Sequence, residues 1–238
     1  MIFREILKSN LPPEEKSLDR LWHDAQTLNI AGSETTSSAL GNITYYLLAQ
    51  PDILKRLRDE LATVVKDGRI TETTTAELEK LPYLTAVIKE GLRLSFGTAG
   101  RLYRISPDKS LIYNDGKRQW DIPAGTPVAM STPLLHLNAK TFPSPTSFDP
   151  TRWLDNPQLD RYLVSFSKGP RNCVGMNLAW AELYNTITAV FGHYGGVECE
   201  GPRMELYKTT ERDVLLAHEY FMPFTWEGSE GVRVTLSS

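Results

Sequence analysis

The chain has 238 residues, of which 41% are hydrophobic and 23% charged, and its 26 basic and 29 acidic side chains give a net charge of -3. This balance excludes a general electrostatic attraction to nucleic acid. No stretch approaches the roughly 18 consecutive apolar residues of a membrane helix, and the opening MIFREILKSNLPPEEKSLDR is too charged for a signal peptide. We find no linker or repeat, so the sequence predicts one domain over residues 1–238.

A long helix is predicted from about Ser17 to Gln50, where apolar residues recur at helical spacing and a proline follows. It contains Ala31–Thr36, AGSETT. Gly32 costs a helix interior about 1 kcal/mol but lets a small ligand or water approach the backbone. The Thr35 hydroxyl can donate to a carbonyl one turn earlier, which loosens the helix. A solvent-facing helix segment or a helix cap is the alternative interpretation of this string.

A second helix is predicted to begin near Pro82, with Glu90 and Arg93 three residues apart on one face. Taken alone, such a pair is typical of a surface salt bridge worth about half a kcal/mol.

The predicted β-structure consists of short strands. Alternating residues between positions 100 and 138 are interrupted by turn signals at Asn114–Gly116 and Pro123–Gly125. Cys199 follows Gly195–Gly196 in a strand-like segment and lacks Cys-x-x-Cys spacing, so we expect a buried thiol rather than a disulfide or zinc ligand.

The segment Phe166–Gly175, FSKGPRNCVG, places Cys173 between glycines directly before an amphipathic helix predicted for Met176–Val190. A thiol binds iron as the thiolate, which nearby cations and a helix start favour. Glycines let the loop turn sharply and approach a flat macrocycle closely. A small core cysteine beside a turn is the alternative. The loop residues singled out on these grounds are Lys168, Gly169, Arg171 and Gly175.

This segment resembles the haem-binding signature of the cytochrome P-450 family, Phe-x-x-Gly-x-Arg-x-Cys-x-Gly. The matching residues are Phe166, Gly169, Arg171, Cys173 and Gly175. Ala31–Thr36 is similar to the oxygen-activation motif of the same family. The pair Glu90 and Arg93 resembles its Glu-x-x-Arg motif, and FDPTRW offers Arg152 at the matching place for a third member.

The resemblance implies a role for each of these residues. Cys173 would be the axial ligand of the iron of haem b, and Glu34 with Thr35 would deliver protons on the opposite face. Glu90, Arg93 and Arg152 would form a structural network behind the cysteine loop.

The resemblance also suggests which other residues contact the cofactor. Arg171 is expected to do so, and the arginine facing a haem propionate is expected to be Arg104, with Arg101 as the alternative. His136 would contact the propionates or the loop, and we rank a structural role for it first.

The fold implied by the resemblance is mainly α-helical with small β-sheets. It corresponds to the C-terminal portion of the cytochrome P-450 fold, with the long central helix, the Glu-x-x-Arg helix and the cysteine haem loop. On this view the N-terminal half, including any membrane anchor, is missing. Family members usually lie at the cytoplasmic face of the endoplasmic reticulum, so without an anchor this chain would be cytoplasmic.

The function implied is that of a haem-thiolate monooxygenase that oxidises a small hydrophobic natural product, a terpenoid, polyketide or alkaloid, in fungal-type secondary metabolism. Its partners would be O2 and an NADPH-cytochrome P-450 reductase. The alternative is a truncated, inactive fragment with or without haem.

Overall fold

The structure, a computed structural model, describes residues 2–65 and 73–238. Its helices are α1 (Ile2–Lys8), α2 (Leu18–Ala49), α3 (Pro51–Leu61), α4 (Thr75–Leu78), α5 (Pro82–Ser95), α6 (Thr132–His136), α7 (Thr151–Asp155) and α8 (Met176–His193). Short 3-10 helices cover Pro13–Lys16, Pro157–Tyr162, Gly169–Arg171 and Glu211–Asp213. The three main helices predicted from the sequence are thus present. None of the helices in the described ranges combines the length and apolarity that crossing a bilayer requires.

The strands are short and pair only in twos. They are β1 (Leu102–Ile105), β2 (Leu111–Asn114), β3 (Gln119–Ile122), β4 (Pro127–Met130), β5 (Arg203–Leu206), β6 (His218–Tyr220), β7 (Met222–Phe224) and β8 (Val234–Ser237). The antiparallel pairs are β1 with β4, β2 with β3, β5 with β8 and β6 with β7. The prediction of a mainly helical fold with small sheets is confirmed.

The strands between positions 100 and 138 form two separate antiparallel ladders, because the β2–β3 hairpin pairs only with itself. The prediction of a strand-like segment around Cys199 is wrong. Cys199 lies in a bend between α8 and β5 and is only partly buried. Its amide donates to the carbonyl of Gly196 at 3.0 Å, which closes a turn where a strand was expected.

Helix α2 is buried along only part of its length. It begins at Ser17, whose hydroxyl accepts from the Arg20 amide, and it ends where Pro51 starts the next helix. Its buried residues all lie between Ala39 and Leu47, in the C-terminal half. The N-terminal half, which carries the AGSETT string, is largely exposed.

Helix α5 is the centre of the packing, in contact with α2, α3, α7 and α8. It packs closely against α2 at Gly91, where an added Cβ would lie 2.0 Å from Cγ1 of Ile43. Only glycine allows this separation, so Gly91 sets how closely α5 and α2 pack.

Helix α3 caps two other helices through long-range hydrogen bonds. The carboxylate of Glu60 accepts from the amides of Tyr83 and Leu84 at 2.9 and 2.7 Å, at the start of α5. The guanidinium of Arg58 donates to the carbonyls of Phe191 and Tyr194 at 2.7 and 2.6 Å, at the end of α8. Both charges complement the helix dipoles. Helix α3 thereby positions α5, which carries Glu90 and Arg93, and α8, which follows the cysteine loop.

Candidate functional site

The cysteine loop is closed by its own backbone. The Cys173 amide donates to the Phe166 carbonyl at 2.9 Å, and the Asn172 amide donates to the Gly169 carbonyl at 3.0 Å. Helix α8 starts three residues later, at Met176. The Cys173 side chain is exposed at the surface. The core-cysteine alternative therefore does not describe Cys173.

The two signature glycines differ in backbone conformation. Gly169 has φ of 78°, in the left-handed region that residues with a Cβ rarely adopt. Gly175 has φ of -86°, which any residue can adopt, but a Cβ there would lie 3.9 Å from Sγ of Cys173. Gly169 thus allows the turn, whereas at Gly175 a Cβ would be in ordinary van der Waals contact with the sulfur.

Phe166 anchors the loop to the helix that follows it. Its ring lies 6.1 Å from the Trp180 ring on α8, and both rings pack against the main hydrophobic core. Phe166, the first residue of the cysteine loop, thus attaches the loop to the hydrophobic core, although the thiol of Cys173 is exposed.

A cavity of about 320 Å³ lies between the β1–β4 ladder and the loop. Arg104 and Lys168 line it, and Arg104 Nη2 donates to the Ser167 hydroxyl at 3.3 Å. Arg101 is exposed and is not among the lining residues. Of the two arginines considered for a propionate, the geometry therefore favours Arg104.

The AGSETT string lies on a continuous stretch of α2. The Thr35 hydroxyl donates to the Ala31 carbonyl at 2.8 Å, one turn earlier. Glu34 is exposed, and no heavy atom lies within 4 Å of the place where Gly32 would carry a Cβ. The Thr36 hydroxyl donates to Glu182 on α8 at 3.4 Å, which links the string to the helix that follows the cysteine.

Glu90, Arg93 and Arg152 come together in a buried network, at 0%, 0% and 9% exposure. Arg93 donates through Nε and Nη2 to both carboxylate oxygens of Glu90, at 2.9 and 2.8 Å. Arg152 Nε donates to the same carboxylate at 3.0 Å. The surface salt bridge that the spacing alone suggested is therefore not what the fold contains.

Sequence reasoning missed two further donors to Glu90. The Trp153 indole and the Asp149 amide each donate to the carboxylate at 2.9 Å. The only available signal was their position beside Arg152 in FDPTRW. With five hydrogen bonds, the Glu90 charge is fully satisfied without solvent.

His136 is fully buried and both of its ring nitrogens are engaged by backbone groups. Nδ1 lies 2.9 Å from the Arg93 carbonyl, and Nε2 accepts from the Val164 amide at 3.0 Å. Burial lowers the pKa of His136 from 6.5 to about 4, so the ring is neutral with its proton on Nδ1. Neither nitrogen is left for a propionate, which corrects the placement of His136 among cofactor ligands and agrees with the structural role ranked first.

The residues around Cys173 fit a haem. An exposed thiol stands next to exposed apolar side chains, with Val174 96% and Leu178 61% exposed, as a flat apolar macrocycle requires. The cations Arg104 and Lys168 at the adjacent cavity match the carboxylates on its edge. Across the described ranges, no three His, Cys, Asp or Glu side chains form a group able to hold a bare metal ion.

Comparison with known proteins identifies the family. The model of the family described as cytochrome P-450 matches residues 3–223. The chain therefore belongs to the cytochrome P-450 family, as the resemblance indicated.

The relatives that match well are fungal. The chain is 45% identical over 242 residues to "Cytochrome P-450 monooxygenase tpcC" of Cochliobolus heterostrophus, covering 99% of this chain and 46% of that protein. It is 45% identical over 249 residues to "Cytochrome P-450 monooxygenase astB" of Talaromyces wortmannii, with 99% and 50% covered. It is 39% identical over 262 residues to "Stellatic acid synthase" of Emericella variicolor, with 99% and 48% covered. The chain spans about half the length of these curated relatives.

Proposed function

We propose that this chain supplies the cysteine side of a haem-thiolate monooxygenase, with Cys173 as the axial ligand of haem b. The observation that carries this proposal is the exposed Cys173 thiol on a loop closed by the bond from the Cys173 amide to the Phe166 carbonyl. When bound, the haem would supply oxygen activation, because thiolate ligation favours O–O cleavage. We also propose that residues 1–238 belong to a single domain, since the two buried clusters share Leu154 and Leu163.

The residues around the cysteine loop would hold and orient the cofactor. Arg104 lines the cavity and donates to the Ser167 hydroxyl, and there it would pair with a propionate. Lys168 lines the same cavity, and the exposed Arg171 adds positive charge beside the loop. Gly169 and Gly175 would let the macrocycle approach the sulfur.

Glu34 and Thr35 would move protons. The exposed Glu34 carboxylate would relay protons from solvent. The Thr35 hydroxyl can accept a hydrogen bond while it donates its only proton to the Ala31 carbonyl, and it would pass that proton on by giving up this bond.

The proposed reaction is the oxidation of a small hydrophobic natural product, a terpenoid, polyketide or alkaloid, in fungal secondary metabolism. It would use O2 and electrons from an NADPH-cytochrome P-450 reductase. The similarity to fungal proteins named monooxygenases, and to one named for the synthesis of stellatic acid, supports this class.

The first test is the absorption spectrum of the haem-loaded chain after reduction and carbon monoxide binding. We expect a strongly red-shifted thiolate-type Soret band that Cys173→Ala abolishes. The matched control is Cys199→Ala, which removes the other, partly buried cysteine and is expected to keep the band. A wild-type chain without the band would show that this chain is an inactive fragment on its own, and a Cys173→Ala variant that retains the band would exclude Cys173 as ligand.

The proton-delivery roles are tested in a reconstituted system with reductase, by comparing Thr35→Ala with Thr36→Ala. We expect Thr35→Ala to release more hydrogen peroxide per NADPH consumed, because protons no longer reach the site efficiently. Thr36→Ala removes a neighbouring hydroxyl that bonds to Glu182, and is expected to leave coupling unchanged. Equal coupling in both variants would remove Thr35 from this role.

A further inference from the structure

The residues directly before the cysteine loop are held at two adjacent points. The Val164 amide donates to Nε2 of His136 at 3.0 Å, and the Ser165 hydroxyl donates to the Leu92 carbonyl at 2.7 Å. One bond comes from the backbone and the other from a side chain, and they join two different parts of the fold. We call these two hydrogen bonds the clasp.

Behind the clasp, both bonds lead to the buried ion network. His136 and Arg93 are joined twice, because His136 Nδ1 donates to the Arg93 carbonyl and Arg93 Nη1 donates to the His136 carbonyl, each at 2.9 Å. Leu92, the other anchor, directly precedes Arg93 on α5. The clasp is thus attached to the buried, hydrogen-bonded network of Glu90, Arg93 and Arg152.

Ahead of the clasp, the chain runs directly into the bonds that hold the cysteine. The Ser167 amide donates to the Val164 carbonyl at 2.8 Å. The Phe166 carbonyl, which belongs to the same peptide group as the Ser167 amide, accepts from the Cys173 amide at 2.9 Å. A displacement of Val164 or Ser165 therefore moves the group to which the Cys173 backbone is bonded.

The segment also lies tightly against the end of α5. Gly97 has φ of 68°, and a Cβ on it would lie 2.5 Å from the Ser165 carbonyl oxygen. The low pKa of His136, about 4, keeps Nε2 an acceptor throughout the neutral range.

We propose that His136 and Ser165 are positioning residues, whose clasp transmits the rigidity of the Glu90–Arg93 network to the loop and sets the place of the Cys173 thiol. The proposal rests on the proposed function of Cys173 as haem ligand. Neither residue touches the cofactor in this role. Both act through the backbone of residues 164–167.

Hydrogen exchange measured by mass spectrometry on the full chain without haem tests the clasp directly. The reporters are the amides of Ser167, Asn172 and Cys173, each bonded within the loop. We compare His136→Asn, which retains a donor for the Arg93 carbonyl but is too short to reach Val164, with His136→Gln, which is long enough to present an acceptor to Val164. Ser165→Ala removes the second bond of the clasp.

The control is Thr85→Val, which deletes another half-buried hydroxyl bond of α5, to Tyr184 at 2.8 Å, far along the helix from the clasp. We expect His136→Asn and Ser165→Ala to raise the exchange rates of the three reporter amides about tenfold, which corresponds to the loss of one buried hydrogen bond. The exchange rates of the amides in α3 and α8 should not change. His136→Gln and Thr85→Val are expected to stay close to the wild-type rate.

A second readout uses the haem-loaded chain. We expect His136→Asn and Ser165→Ala to lower the fraction of chains with the thiolate-type Soret band, and His136→Gln to restore it. Equal exchange and equal spectra in the Asn and Gln variants, or exchange that rises equally in all helices, would overturn the clasp. If exchange follows the expected pattern but no variant, including wild type, shows a thiolate band, the clasp stands and the haem proposal fails.

Discussion

The buried ion network and the cysteine loop each contain an arginine of a family motif, yet their surroundings are opposite. Arg93 is fully buried and donates to Glu90 and to the carbonyls of His136, Pro145 and Ser147. Arg171 is exposed, and among the described residues its guanidinium makes no hydrogen bond or ion pair.

The difference separates architecture from binding. A buried charge must be satisfied by the protein itself, because no water is available, and it then has nothing left to offer a ligand. An exposed group that the protein leaves unsatisfied keeps its bonding capacity for a cofactor. The two regions therefore differ in whether the protein itself hydrogen-bonds the arginine, and not in the type of residue.

The largest expected effect is in the buried network. Arg93→Met should destabilise the chain by about 3–5 kcal/mol, because it leaves the Glu90 carboxylate buried beside fewer partners. Lys89→Met, one turn away on the same helix, removes an exposed ion pair with Asp160 and should cost less than about 1 kcal/mol. Urea unfolding of both variants measures these two changes in unfolding free energy. Equal losses of stability in the two variants would contradict the prediction.

The next effect is a pH dependence due to His136. The unfolded imidazole takes up a proton near pH 6.5, whereas the folded one does so only near pH 4. Stability should therefore be full above pH 6.5 and fall by about 3 kcal/mol as the pH drops towards 4. We would measure the unfolding free energy of the wild type and of His136→Gln across this pH range. The variant retains the carboxylates, so the difference between the two curves gives the contribution of His136. If the unfolding free energy depended on pH equally in the wild type and the variant, the predicted contribution of His136 would be disproved.

A smaller effect is expected where α5 meets α2. Gly91→Ala should destabilise by about 1–3 kcal/mol, because the new methyl group overlaps Ile43. Ile43→Ala alone leaves a cavity, which the methyl of Gly91→Ala would partly fill. The double variant should thus be less destabilised than the sum of the single variants in thermal unfolding. Simple additivity would show that the helices separate instead of clashing.

The smallest effect on stability is expected in the exposed region. Cys173→Ala should change the unfolding free energy of the haem-free chain by no more than about 0.5 kcal/mol, because the exposed thiol makes no packing contribution. A loss comparable to that of Arg93→Met would mean that the loop, like the network, is part of the architecture.

The sequence by itself determined the local features of this protein. Helical spacing and the prolines at positions 51 and 82 predicted α2 and α5, because periodicity and proline act over a few residues. The signature Phe166–Gly175 predicted a loop with a presented cysteine, because its glycines and spacing are local as well.

Only the tertiary structure decided which groups are satisfied and which are free. The spacing of Glu90 and Arg93 is the same in a surface pair and in a buried one, and only the packing of α5 against α7 distinguishes them. The sequence allowed both His136 and Arg101 to contact the cofactor. In the structure both ring nitrogens of His136 are hydrogen-bonded to backbone groups, and Arg101 does not line the cavity. Burial and hydrogen bonding between residues far apart in the chain depend on the whole fold, so no local pattern records them.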